Sequence, residues 1–172
     1  MSERRFAALD TSFLLALGIG CEDCEATIDW LNKINVYPMV TSCVIQELQD
    51  MADLAPADVQ QVARQVLACI PVWGFIVAQL DATENGIAHI TAGKLIDKVI
   101  DSEFINDGLI VSEAAFQRSA LLITKRQCLL QASDDALSLA IVECDLSDLF
   151  IVSPDVIVTY LAKQHSKGGK AA

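Results

Sequence analysis

The sequence predicts an α/β domain with a mainly parallel sheet of about five strands, covered by helices on both faces. Short apolar runs recur around Phe6, Val36, Phe75, Leu122 and Phe150. Stretches with helical spacing separate them, the alternation expected of a parallel sheet. Hydrophobic residues make up 53% of the 172, enough for one domain with a real core and too many for disorder.

Arg5 to Leu9 is the first strand and Thr11 to Leu17 the first helix, which Gly18 and Gly20 end. Asp10 stands between them. It is either a group at a strand end, where ligands sit in such sheets, or simply a helix cap. Thr11 or Ser12 can also cap. Glu22 to Ile34 forms a helix with acids in its first turn. Val36 to Val40 is a short strand that Pro38 makes an edge or irregular one. Thr41 or Ser42 caps the next helix, with Val44, Ile45, Leu48 and Met51 inward and Glu47 on the polar side. Pro56 starts another helix, and Trp73 to Leu80 is a strand candidate. Thr83 to Ile100 is mostly helical, with Ile87, Ile90, Leu95, Ile96 and Val99 inward. Asn106-Asp107 caps the helix that follows. Leu121 to Thr124 is a buried strand, Ser133 to Val142 a helix, Leu149 to Val152 the last strand, and Pro154 to Gln164 a terminal helix. Residues 1–165 thus form one domain. The small, polar and basic stretch 166–172 is expected to be disordered.

The net charge of −11 and pI of about 4.4 exclude a simple basic surface that grips nucleic acid by charge. The six cysteines show no dense disulfide spacing. Cys21-Glu22-Asp23-Cys24 is a lone C-x-x-C without the second ligand pair of a zinc site. A redox motif would open a helix directly after a strand, which this pair does not clearly do, so reduced thiols are expected. Arg4-Arg5 and the apolar run after it mimic an export signal, but Asp10 interrupts the run and its length falls short of a membrane span. The expectation is a cytoplasmic protein without membrane contact. High apolar content makes a homodimer the expected assembly.

Three acids stand out by position: Asp10 at the end of the first strand, Glu47 after the second, and Asp107 before the fourth. In a parallel sheet, strand ends and helix starts share one edge, so these acids would face one crevice. Clustered carboxylates repel one another, and an oxygen-only set suits magnesium or manganese. His89 and His165 belong to no recognisable triad and are expected at the surface. Glu113 is expected there too, and Asp134-Asp135 at the start of its own helix. Asp101 and Glu103 are further carboxylates near Asp107.

The chain resembles PIN-domain proteins, the group that includes PilT N-terminus-type ribonucleases and the toxin half of VapBC-type pairs. The resemblance rests on Leu9-Asp10-Thr11-Ser12-Phe13-Leu14-Leu15, on Thr41-Ser42-Cys43-Val44-Ile45-Gln46-Glu47-Leu48, on Asn106-Asp107-Gly108-Leu109-Ile110-Val111-Ser112-Glu113-Ala114, and on Leu121-Leu122-Ile123-Thr124. Phe150-Ile151-Val152-Ser153-Pro154 resembles the closing strand and turn. The resemblance implies a three-layer α/β/α PIN-like fold and Mg²⁺- or Mn²⁺-dependent hydrolysis of RNA. It implies Asp10, Glu47 and Asp107 as catalytic metal ligands, Ser12 and Thr124 as site-lining residues, and an antitoxin protein as a possible partner.

One position departs from the pattern. Where the family usually has another acid after the fourth strand, Thr124-Lys125-Arg126-Gln127 places Arg126. Arginine cannot ligate a cation. It can pair with an acid and partly replace a metal, or contact a substrate phosphate. A non-catalytic PIN-like module that binds nucleic acid or protein is therefore the alternative. A haloacid-dehalogenase-type phosphatase would need a second acid where Ser12 stands. A receiver domain would need an acidic pair ahead of Asp10, and no strand is followed by a glycine-rich phosphate loop.

Overall fold

The structure is a computed structural model that describes residues 5–102 and 104–168, with side chains to Gln164. The chain runs β1 (Arg5–Leu9), α1 (Thr11–Gly18), α2 (Glu22–Lys33), β2 (Val36–Val40), α3 (Ser42–Leu54), α4 (Ala57–Cys69), β3 (Ile76–Val77), then α5 (Ala82–Lys98) and α6 (Ile105–Phe116). There follow β4 (Leu121–Ile123), α7 (Gln127–Leu130), α8 (Asp134–Val142), β5 (Phe150–Val152) and α9 (Pro154–Gly168). Of the expected tail, 166–168 continue α9, and 169–172 lie outside the described residues.

The strands form one five-stranded sheet, order β3-β2-β1-β4-β5, with every pairing parallel. Successive side chains of a strand point to opposite faces. Ala7, Ala8 and Leu9 are consecutive and all buried, as are Leu122 and Ile123, so helices cover both faces. The order reverses between β1 and β4: the chain leaves β1 toward β2 and β3, then returns to lay β4 on the other side. At such a switch point the connections diverge and open a crevice beyond the carboxyl ends of the strands. Asp10 and Thr124 stand at those two ends.

Three elements differ from expectation. β2 is not an edge strand, since β1 and β3 both pair with it. Pro38 survives inside it because β3 joins only at Met39 and Val40. The Val40 carbonyl faces β3 and accepts the Ala78 N–H at 2.9 Å. Pro38, two residues earlier, faces the same side before β3 begins, where no ladder bond is lost. The run from Trp73 to Leu80 yields only Ile76–Val77 as strand, because 71–74 form a turn closed by Gly74 at φ +73°. Only glycine takes that conformation without strain.

The inward face of α5 is the third. Ile87 and Ile90 are exposed, at 40% and 66%, while Ala88, Thr91, Ala92 and Leu95 are buried. Small residues face inward because α6 lies against α5 at very close range: a Cβ built on Gly108 would stand 2.6 Å from the Ala92 carbonyl oxygen. The residues from Asp107 to Ala115 on α6 are all buried, so this helix is central. The Asn106-Asp107 pair lies within its first turn, and Phe104 is the N-cap. Among the described residues no helix is long and apolar enough to cross a membrane.

Candidate functional site

Asp10 is both of the things its position allowed. It caps α1, accepting the Phe13 N–H at 2.9 Å, so Thr11 and Ser12 sit in the first turn rather than capping. It is also the fully buried floor of a polar cluster. Its Oδ1 accepts the Ser12 hydroxyl at 2.8 Å, and its Oδ2 accepts the Thr124 hydroxyl at 2.8 Å. Burial pushes the Asp10 carboxyl above its ordinary value, against the Phe13 N–H, Arg126 and the two hydroxyls, which favour the charged form.

Ser12 and Thr124 each act twice. The Ser12 oxygen accepts the Lys125 N–H at 2.8 Å, and the Thr124 oxygen accepts the Arg126 N–H at 2.9 Å. The two hydroxyls therefore tie the β4–α7 turn to the carboxylate beneath it. Arg126 is the N-cap of α7, with its backbone extended (φ −75°, ψ 120°), and its side chain turns back over the crevice.

There the guanidinium meets all three acids. Nε stands 3.1 Å from Asp10 Oδ2, Nη1 donates to Asp107 Oδ1 at 2.5 Å, and Nη2 pairs with Glu47 Oε2. Glu47 reaches it from α3, steadied by the Thr11 hydroxyl and, at 3.4 Å, by Asn106. Asp107 comes from the first turn of α6, and its other oxygen accepts the Ser102 hydroxyl and, at 3.5 Å, the Cys128 thiol. Burial alone would lower the Arg126 pKa; the Glu47 and Asp10 carboxylates outweigh it and hold the guanidinium above its ordinary value. The arginine is therefore a permanent cation at the point where the carboxylates converge.

The six site residues expected from the sequence thus meet in one place. A divalent ion does not fit the arrangement. One oxygen of each acid is already given to the guanidinium, and among the described residues no group of three or more His, Cys, Asp and Glu could hold a metal ion. Asp101 is exposed, and Glu103 lies outside the described residues. His89 is exposed on α5, and the side chain of His165 lies outside the described part of the chain.

Glu113 corrects the expectation of a surface residue: it is only 3% exposed. Its carboxylate crosses from α6 to the start of α3, accepting the Cys43 N–H at 2.9 Å and the Ser42 hydroxyl at 3.1 Å. The hydroxyl of Thr41, the N-cap of α3, makes no such bond. Glu113 supplies the missing cap from another helix, where the helix dipole favours a negative charge. It thereby ties the start of α3, the helix that carries Glu47, to α6. The one sequence signal for this was a carboxylate inside the otherwise apolar helix that follows Asp107.

No family model and no curated protein matches the sequence. Solved structures do. VapBC2 from Rickettsia felis, bound to a DNA fragment from its promoter, is 14% identical with a TM-score of 0.59, over 86% of this chain and 98% of that one. FitAB bound to IR36 DNA is 15% identical, TM-score 0.51, over 86% and 94%. FitAcB from Neisseria gonorrhoeae is 17% identical, TM-score 0.51, over 86% and 97%. At these identities the likeness speaks to architecture, and it bears out the resemblance at that level: the chain has a PIN-like α/β fold with a five-stranded parallel sheet.

Proposed function

We propose that this chain is a PIN-like domain that acts by binding a protein partner, the charge of its acidic site partly cancelled from within by Arg126. One observation carries the reading: a single guanidinium pairs with Asp10, Glu47 and Asp107 together. A nuclease of the implied kind needs those oxygens for a metal that activates water and steadies phosphate charge. The arginine supplies countercharge but no Lewis acid, and it cannot release a proton as metal-bound water does. Two of the structures it resembles, VapBC2 and FitAB, are bound to DNA fragments. With a net charge of −11, this chain is suited to meet a basic protein of the antitoxin kind rather than the nucleic acid itself.

The rival reading is the Mg²⁺- or Mn²⁺-dependent ribonuclease, favoured by the convergence of the three acids at the switch point. It requires Arg126 to withdraw. RNA cleavage by wild type, Asp10→Asn and Arg126→Asp, each with and without manganese, separates the two. The binding reading expects wild type and Asp10→Asn to be equally inactive. Manganese-dependent cleavage by wild type that Asp10→Asn abolishes overturns it. Co-expression with the product of an adjacent small reading frame then tests the partner: a stable complex is expected.

A further inference from the structure

The Cys21-Glu22-Asp23-Cys24 motif has a geometry that its sequence did not show. Cys21 is the N-cap of α2, in extended conformation (φ −68°, ψ 114°), and Cys24 sits one turn in, its N–H bonded to the Cys21 carbonyl at 3.0 Å. The two thiols differ in access: Cys21 is partly exposed, whereas Cys24 is fully buried. A third group converges on the exposed one, for Lys125 Nζ lies 3.8 Å from Cys21 Sγ. Lys125 comes from the far side of the sheet order, and its backbone is tied down by Ser12. A helix N-terminus, an ammonium and a second cysteine one turn on are the surroundings that make a thiol reactive.

We propose that Cys21 and Cys24 form a thiol–disulfide exchange site, with Cys21 attacking, Cys24 resolving, and a small disulfide of the glutathione class as oxidant. The Cys21 thiolate attacks one sulfur of the small disulfide. That S–S bond breaks, and the departing thiolate takes a proton from solvent. The Cys24 thiol attacks Cys21 Sγ, closing the Cys21–Cys24 bond and breaking the mixed disulfide, and its proton passes to the departing second thiolate, which leaves as the thiol. Two electrons pass from the cysteine pair to the oxidant, which leaves as two thiols.

The titration tendencies agree with these roles. The Cys24 N–H, the Cys24 thiol and Lys125 outweigh burial and hold Cys21 below the ordinary thiol value. Burial first, then the neighbouring Cys21, push Cys24 up to about 12. Cys144 is the internal control. Lys94 Nζ lies 3.8 Å from its sulfur, the same separation, but Cys144 follows the C-terminal end of α8, where the helix dipole opposes a thiolate.

The test uses the reduced full chain and oxidised glutathione, read by mass spectrometry of tryptic fragments. Residues 6–33 form one fragment holding both cysteines. Wild type is expected to lose two hydrogens from it, and Cys24→Ser to retain one glutathione on Cys21. In unmutated protein, Cys21 is expected to be alkylated by iodoacetamide at least about tenfold faster than Cys144. Lys125→Gln should slow Cys21 several-fold. The proposal is overturned if wild type keeps both thiols under oxidation, or if Cys144 is alkylated as fast as Cys21. The alkylation rates need no variant, so a failure of Cys24→Ser to fold leaves the test intact.

Discussion

Arg126 Nε stands 3.1 Å from Asp10 Oδ2, and the Asp10 side chain has no exposed surface. A buried carboxylate with one fixed cation beside it depends on that cation, because removing one partner leaves a charge without compensation. Arg126→Ala should lower the unfolding free energy by about 3–5 kcal/mol in urea denaturation. The three freed acids should then take up manganese, so millimolar Mn²⁺ should raise the melting temperature of the variant by linkage. The melting temperature of wild type should stay where it was. Equal shifts in both proteins would show that the guanidinium does not occupy the ion's place.

Asp10 also sets a pH dependence. Burial raises its folded-state pKa above the ordinary 3.8. The folded chain therefore holds more protons than the unfolded chain between those two values, and the contribution of Asp10 to stability falls as pH rises through that window. Asp10→Asn cannot titrate there. Urea unfolding of both proteins between about pH 4 and about pH 7 should show the wild type losing ground to Asp10→Asn as pH rises. The ion pair with Arg126 forms only as Asp10 ionises, so its effect is already part of that slope. A flat difference would mean that Arg126 and the hydroxyls fully offset burial.

Glu113 holds α3 by its first turn. Glu113→Ala removes the acceptor of the Cys43 N–H and the Ser42 hydroxyl, and should cost about 1–3 kcal/mol. Glu113→Gln keeps one oxygen acceptor and should cost less. Hydrogen exchange at Cys43 should speed up in the alanine variant ahead of global unfolding, the mark of a loosened helix start.

Gly108 is the contact point of α5 and α6. The nearest neighbours of an added Cβ are backbone atoms of Ala92, at 2.6 and 3.0 Å, so no side chain can turn away to make room. Gly108→Ala should destabilise by about 1–3 kcal/mol, despite alanine's better helix propensity. It should also move Asp107, its neighbour in sequence. Thermal unfolding tests the first expectation. The second is read in Arg126→Ala, where adding Gly108→Ala should weaken manganese uptake.

The strand pattern was legible because strands covered on both faces need consecutive apolar residues, and Ala7-Ala8-Leu9 and Leu122-Ile123 have no other use. The acids were legible as a set because a parallel sheet sends strand ends and helix starts to one edge. What escaped depends on contacts between distant segments. Nothing local to Ile87 or Ile90 says that α6 presses so close that only small residues fit beneath α5. Nothing local to Glu113 says that Thr41 would leave a cap unfilled. Arg126 was readable as a departure, and pairing with an acid was among its expected roles. That its side chain spans all three acids follows from the turn that Ser12 and Thr124 clamp, on the far side of the sheet order.

A metal ion is a visitor whose stay depends on its concentration and on whatever else competes for it. The cation at this crevice is attached to the N-cap of α7, so its local concentration is a property of chain geometry. Chelators and dilution have no purchase on it. Occupancy follows the folded fraction alone, which turns what would be a binding equilibrium into part of the folding equilibrium. A partner that reaches the crevice therefore meets acids whose charge is always partly cancelled, whatever the ion supply around it.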